Sequence, residues 1–338
     1  MVYKNTKRIT AVAIIIIALA AISIITEVTM GAKQPAVIRV AGYYGADGIT
    51  DYDPALLAQH LGYYGDDIKI EPSEVQVGAP GVAAIAAGQI EAAHVQYNTL
   101  VRAVAKGEDI KAVVTAHGAQ STVNWHLFTL KNSGITSPKD LKGKKVGGVI
   151  AGDTSYIAFE EYLKKAGLKV SDVTLVNVPF GQEDQILRAK QVDAVGVWFD
   201  FEIAKMKEDG DRVLYTIYDS LPPDTSHCGI VFSGKYINDH PDIVKEFVTG
   251  VVKANEWSKA NPDKAKQFYI DLVKQRGKDT TLIQKYYIPT DIRQYSLIKP
   301  DPDITYYYKW LVDNGEIKDG QVKLTDLYTN EFNPYYKP

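Results

Sequence analysis

Residues 137–173 read SPKDLKGKKVGGVIAGDTSYIAFEEYLKKAGLKVSDV. The reading of this stretch decides the fold. Residues 144–150 (KKVGGVI) form a short apolar run and predict a strand. The turn at residues 151–155, AGDTS, leads into a helix that runs through Lys165. Gly167 closes that helix, because glycine tolerates the positive φ that ends many helices. Residues 173–178 then predict the next strand. Strand, turn, helix and strand in succession argue for an α/β fold.

The same order extends outward on both sides. Residues 37–40 (VIRV) read as a strand, and Asp53-Pro54 opens a helix with proline where its missing N–H costs nothing. Residues 68–77 alternate and read as a half-exposed strand. A helix starts at Pro80 and ends at Gly88, followed by a strand over 92–95, a helix over 99–106 and a strand over 110–115. Downstream, a helix over 182–190 precedes a strand over 192–197. From Asp239 the pattern turns helical, with a fresh start at Pro262 after Asn261.

Composition sets the limits. The chain has 338 residues, which suggests about two domains or lobes. A net charge of -3 offers no basic field for nucleic acid. One cysteine, Cys228, excludes an internal disulfide framework and any multi-cysteine metal site. The six histidines show no spacing such as HxxxH, and neither GxSxG nor GxxxxGK[ST] occurs. Neither a metal nor a cofactor is expected.

The first 33 residues differ from the rest. Lys4, Lys7 and Arg8 precede ITAVAIIIIALAAISII at 9–25, a run without a charge. Such a run reads as an export signal or an N-terminal membrane anchor, with the body outside the cytoplasm. Without residues 1–33 the chain loses four basic residues and one acid, so the body is acidic.

Several stretches, in order, resemble the solute-binding proteins of ABC importers of the sulfonate/nitrate/taurine type, relatives of the thiamine-pyrimidine binders. They are ALLAQHLGYYGDDIKIE at 55–71, GAPGVAAIAAGQIEAAHV at 78–95, GEDIKAVV at 107–114, the 137–173 stretch, QVDAVGVWFDFEIA at 191–204 and HPDIVKEFVTGVVKANEWSKANPDKA at 240–265. The resemblance implies a two-lobe periplasmic-binding-protein-like (type II) fold with two crossovers and ligand held between the lobes. Lobe one is expected over 35–122 plus 228–338, and lobe two over 125–225. The implied function is capture of a small organic anion or zwitterion, an aliphatic sulfonate or taurine, by hinge closure. A permease and its ATPase are the implied partners. The alternatives are a thiamine-precursor pyrimidine or nitrate as ligand, and, more distantly, a pyrimidine-synthase-like enzyme. The enzymes carry a cysteine-rich signature that a single cysteine cannot supply.

Candidate ligand residues follow from strand ends, where open α/β sheets bind ligands near helix N-termini. Gly78, Ala79, Pro80 and Gly81 form one such turn, and Gly152, Asp153, Thr154 and Ser155 another. Aromatic and polar residues at other strand ends complete the set: Tyr43, Tyr44, Tyr97, Asn98, His117, Phe180, Gln182, Trp198 and Asp200. Asp153 leaves two readings open. It competes with a bound anion for the helix amides, or it turns back on its own helix and leaves the hydroxyls of Thr154 and Ser155 for the ligand. An ammonium group would pair with Asp200. Arg102 is expected on a solvated helix face.

Overall fold

The computed structural model describes residues 34–42, 50, 52–116, 125–287 and 293–338. The expected export segment, together with Tyr43, Tyr44 and His117, lies outside the described residues. Among the described residues no helix is long and apolar enough to cross a membrane.

Val37–Pro338 form one unit, built on two sheets. The chain begins with β1 (Ala36–Ala41), α1 (Pro54–His60), β2 (Ile68–Pro72), α2 (Ala79–Ala86), β3 (Ala92–Gln96), α3 (Tyr97–Ala105) and β4 (Ile110–Thr115). Asp53 caps α1, its carboxylate accepting from Leu56 N at 3.1 Å, and Pro54 occupies the first turn. β2 is shorter than the expected 68–77. Pro72 has no N–H to give a ladder, so pairing stops there.

The chain leaves the first sheet after Ala116 and enters the second at Trp125. There it forms β5 (His126–Thr129), β6 (Lys145–Gly147), α4 (Thr154–Lys164), β7 (Thr174–Val176), α5 (Glu183–Arg188), β8 (Ala194–Val197), α6 (Asp200–Glu208) and β9 (Arg212–Thr216). It returns to the first sheet as β10 (Cys228–Ser233). The helices α7 (Gly234–Asp239), α8 (Pro241–Ala260), α9 (Pro262–Gln275), α10 (Thr281–Tyr286), α11 (Thr305–Asp313) and α12 (Leu324–Leu327) follow. This is the two-lobe α/β fold with two crossings that the resemblance implies.

The first sheet has the order β2-β1-β3-β10-β4, with β10 antiparallel between β3 and β4. The second has the order β7-β6-β8-β5-β9, and β5 is antiparallel to both neighbours. β5 and β9 escape the sequence reading. All four β5 residues are buried, so no polar alternation marks it.

Leu57, Phe247, Val248 and Val251 are fully buried where α8 meets α1. Each such side chain contributes ~1.5–3 kcal/mol of transfer free energy. α11 packs against α3 through Tyr307 and Leu311, yet Trp310 Nε1 donates to Glu161 Oε1 on α4 at 3.0 Å. The C-terminal helices therefore touch helices over both sheets. In the second sheet, Trp125 is wholly buried and its Nε1 donates to Gly148 O at 3.1 Å. A Cβ at Gly196 would lie 2.2 Å from that nitrogen, so only glycine lets the ring lie flat on the strand.

Candidate functional site

The carboxyl ends of parallel strands from both sheets converge on a cavity of about 520 Å³. Gly42 after β1, Gln96 at the end of β3, the residues 150–153 after β6, Phe180 after β7 and Trp198 after β8 all line it. α2 contributes its first turn, and α3 contributes the stripe Thr99, Arg102, Ala103 and Lys106. That spacing puts the four on one helix face, opposite the buried Leu100 and Val101.

Of the candidate ligand residues, Gly78, Ala79, Pro80, Gly152, Asp153, Phe180 and Trp198 lie on the cavity wall. Gly78 sits at φ 75°, ψ -134°, a conformation that suits glycine alone, and turns the chain into α2. No side chain caps α2, and Pro80 has no N–H. The first-turn amides of Ala79 and Gly81 therefore have no acceptor within the helix. Their dipole favours negative charge at that end.

The other described candidates do not line it. A Cβ on Gly81 would meet Ala93 Cβ at 2.8 Å, so this glycine serves close packing of α2 on β3. Tyr97 is wholly buried, its ring against Gly229. Asn98 is buried between the two sheets: its Nδ2 donates to Gly152 O at 2.8 Å, and its Oδ1 accepts from Thr154 Oγ1 at 3.3 Å. Ser155 Oγ accepts from Ile150 N at 3.2 Å. Thr154 and Ser155 are thus buried and engaged within the protein. Gln182 is an exposed residue before α5, and Asp200 is buried in the first turn of α6.

Asp153 turns back on its own helix. Its Oδ1 accepts from Ser155 N at 2.6 Å. Its Oδ2 accepts from Gln96 Nε2 at 3.0 Å, across from the first sheet. Burial pushes its carboxyl up to about 6, against the lowering effect of the Ser155 hydrogen bonds and the Arg102 charge. His94 and His227, buried near this end of the first sheet, are held down at about 4 by desolvation and stay neutral at pH 7. The Trp198 ring lies 5.6 Å from the His227 ring, tilted by 36°.

Arg102 is the residue that the sequence reading placed wrongly. It lines the cavity rather than a solvated face. Its Nη1 donates to Gly152 O at 2.8 Å, and Glu316 holds the guanidinium through two hydrogen bonds of 2.6 and 2.9 Å. A signal was present: Arg102 falls on the polar stripe of a helix whose first turn was already assigned to the site.

Among the described residues, one group could bring three carboxylates toward a metal: Asp184, Asp209 and Asp211. Arg188 pairs with all three and Lys205 with two of them, so two protein cations already occupy this group. Among the described cavity-lining residues there is no serine, cysteine or histidine to act as a nucleophile or base.

Comparison with known proteins adds the following. A binding protein of Brucella abortus (strain 2308) is 28% identical over 149 residues, 44% of this chain. The match spans 46% of that relative's length, a little under half. A Bacillus subtilis (strain 168) relative, named for binding aliphatic sulfonates, is 26% identical over 65% of this chain and 66% of its own. The 4-amino-5-hydroxymethyl-2-methylpyrimidine phosphate synthase of Legionella pneumophila is 25% identical over 84% of this chain and 88% of its own. Among solved structures, the periplasmic aliphatic sulphonate binding protein SsuA from Escherichia coli superposes with a TM-score of 0.64 at 19% identity, covering 86% of this chain and 91% of that one. At that identity the likeness establishes the fold. The NMT1/THI5-like family matches residues 49–265, well over half of the chain, and the protein belongs to that family.

Proposed function

We propose that this chain is the extracytoplasmic solute-binding component of an ABC importer. It captures a small organic anion or zwitterion, an aliphatic sulfonate or taurine in first place, between its two lobes. One observation carries the reading: a cavity where strand ends of both sheets converge, with the uncapped start of α2 on one wall and Phe180 and Trp198 on another. Exposed helix-start amides suit an oxyanion, and aromatic walls suit its organic part. The sulfonate-binding relative supports the same ligand class.

Lobe one comprises 35–122 plus 228–338 in this reading, and lobe two 125–225. Closure about the two crossings traps the solute and creates the surface that docks on a permease and its ATPase. The apolar run at 9–25 exports the body or tethers it to the membrane.

A second reading is a thiamine-type pyrimidine as ligand, favoured by the long match to the Legionella synthase. A thermal-shift series with ethanesulfonate, taurine, nitrate and 4-amino-5-hydroxymethyl-2-methylpyrimidine separates these readings. A midpoint raised only by the pyrimidine, or by no sulfonate, overturns the first.

A further inference from the structure

We propose that Asp153 is the counter-charge for a cationic group on the bound solute, so that the cavity selects an amine-bearing zwitterion over a simple anion. The proposal deepens the reading above and rests on it.

The start of α4 is the obvious second seat for an anion, and the Asp153 cap already occupies part of it. Ser155 N donates to Asp153 Oδ1, Asp153 N donates to Ile150 O at 3.0 Å, and the Thr154 hydroxyl donates to Asn98. Two acceptors stand on the cavity wall here, Asp153 and the Gly152 carbonyl, which already receives Asn98 and the Arg102 guanidinium. A sulfonate or carboxylate placed there would meet like charge in a partly desolvated site.

Asp153 itself lacks a full counter-charge. Its hydrogen-bond partners, Ser155 N and Gln96 Nε2, are neutral. Among the described residues no ion pair forms at this carboxylate. The charged groups that face it are Arg102 and Lys106 from α3, Glu108 just beyond α3, and Glu316 behind Arg102. Arg102 is committed to Glu316 and to Gly152 O. Burial therefore raises the Asp153 carboxyl to about 6, which marks a carboxylate short of stabilisation.

The surroundings suit a cation. The rings of Trp198 and Phe180 line the same cavity, and ring faces attract ammonium groups. The anion-favouring start of α2 is close by. A Cβ at Gly78 would lie 3.0 Å from Gln96 Oε1, while the same amide's nitrogen bonds Asp153. One side-chain amide thus separates the seat for a negative group from the seat for a positive one. That spacing fits a short molecule charged at both ends.

The pH dependence has a definite sign. A bound ammonium lowers the Asp153 value, so binding releases a proton and weakens as pH falls through about 6. An anion seated at Asp153 would do the reverse. The test is calorimetry on compounds that differ only by an amine: taurine against ethanesulfonate, β-alanine against propionate, and phosphoethanolamine against ethyl phosphate. Each is titrated into the wild type and Asp153→Asn, at about pH 7.5 and about pH 5. Asparagine still caps α4, so the fold is kept. The amine-bearing member of at least one pair binds about tenfold more tightly to the wild type at the higher pH. That advantage shrinks at the lower pH and vanishes in Asp153→Asn. The proposal falls if no amine-bearing compound outbinds its partner, absence of all binding included, or if the advantage survives in Asp153→Asn. The sulfonate reading fails separately, if both sulfonates stay silent while β-alanine or phosphoethanolamine binds.

Discussion

Gln96 Nε2 donates to Asp153 Oδ2 at 3.0 Å, joining the last residue of β3 in one sheet to the cap of α4 over the other. Two neighbours repeat the crossing. Asn98 and Arg102, both on α3, donate to Gly152 O at 2.8 Å each. The two sheets thus meet beside the cavity through polar contacts made by one helix and its leading residue. Polar contacts of this kind exchange readily with water, so the junction is suited to opening.

Arg102→Ala removes one of these contacts together with the Glu316 pair. An expected consequence is a larger share of open molecules and about a tenfold weaker affinity for whichever solute the screen identifies. Small-angle scattering of the unliganded variant reads the opening as an increased radius of gyration. Wild-type radius and affinity together would make the Arg102 contact incidental.

Trp198 is half-buried on the cavity wall. Trp198→Ala weakens solute binding by about 1–3 kcal/mol if the ring is a main anchor, while the unliganded melting temperature moves little. Titration of the variant checks this, and an unaltered affinity removes Trp198 from the contact set.

Glu183 and Glu202 are buried in the first turns of α5 and α6. Glu202 Oε1 accepts from Asp184 N at 2.8 Å. Burial, and then the charge of Glu202, hold the Glu183 carboxyl well above the usual carboxylate range. A folded value above the unfolded one gives stability that is complete below the unfolded value and is lost as pH rises through the folded value. The wild-type melting temperature therefore declines from about pH 4.5 to about pH 9, where the loss is complete. Glu183→Gln, neutral at every pH, flattens that decline. Melting curves between about pH 5 and about pH 9 test it, and an identical slope in the variant contradicts the assignment.

Gly196→Ala places a methyl group 2.2 Å from Trp125 Nε1. The ring has no free volume to enter, so the substitution costs about 3 kcal/mol by overpacking. Urea denaturation measures the loss. A variant within about 0.5 kcal/mol of wild type would mean that Trp125 repacks freely.

Much of the local structure was legible in the sequence. Asp53-Pro54 and Asn261-Pro262 open α1 and α9 where predicted, and Gly62, Gly88 and Gly167 follow helix ends with φ of 71°, 68° and 70°. Asp153 before a helix read as a cap, and it is one. These features are legible because capping and positive φ depend on residues a few positions apart. The turns at 78–81 and 152–155 read as strand-to-helix turns, and part of each, Gly78, Ala79 and Pro80 in one and Gly152 and Asp153 in the other, lies on the cavity wall.

The rest depended on pairs far apart in the chain. β10 enters between β3 and β4 by setting Cys228 against Gln96 and Ser233 against Ile110. No local pattern announces that register. Tyr97 follows a strand end as predicted, yet tertiary packing buries it, because β10 brings Gly229 against its ring. Arg102 reads as solvated, and its partners Gly152 and Glu316, 50 and 214 residues away in the chain, hold it on the cavity wall. The sequence by itself determined most of the strands and helices, β5 and β9 excepted, and where several helices start and stop. The tertiary structure decided which side chains face the cavity, since that depends on contacts between lobes whose entropy of closure no local segment can offset.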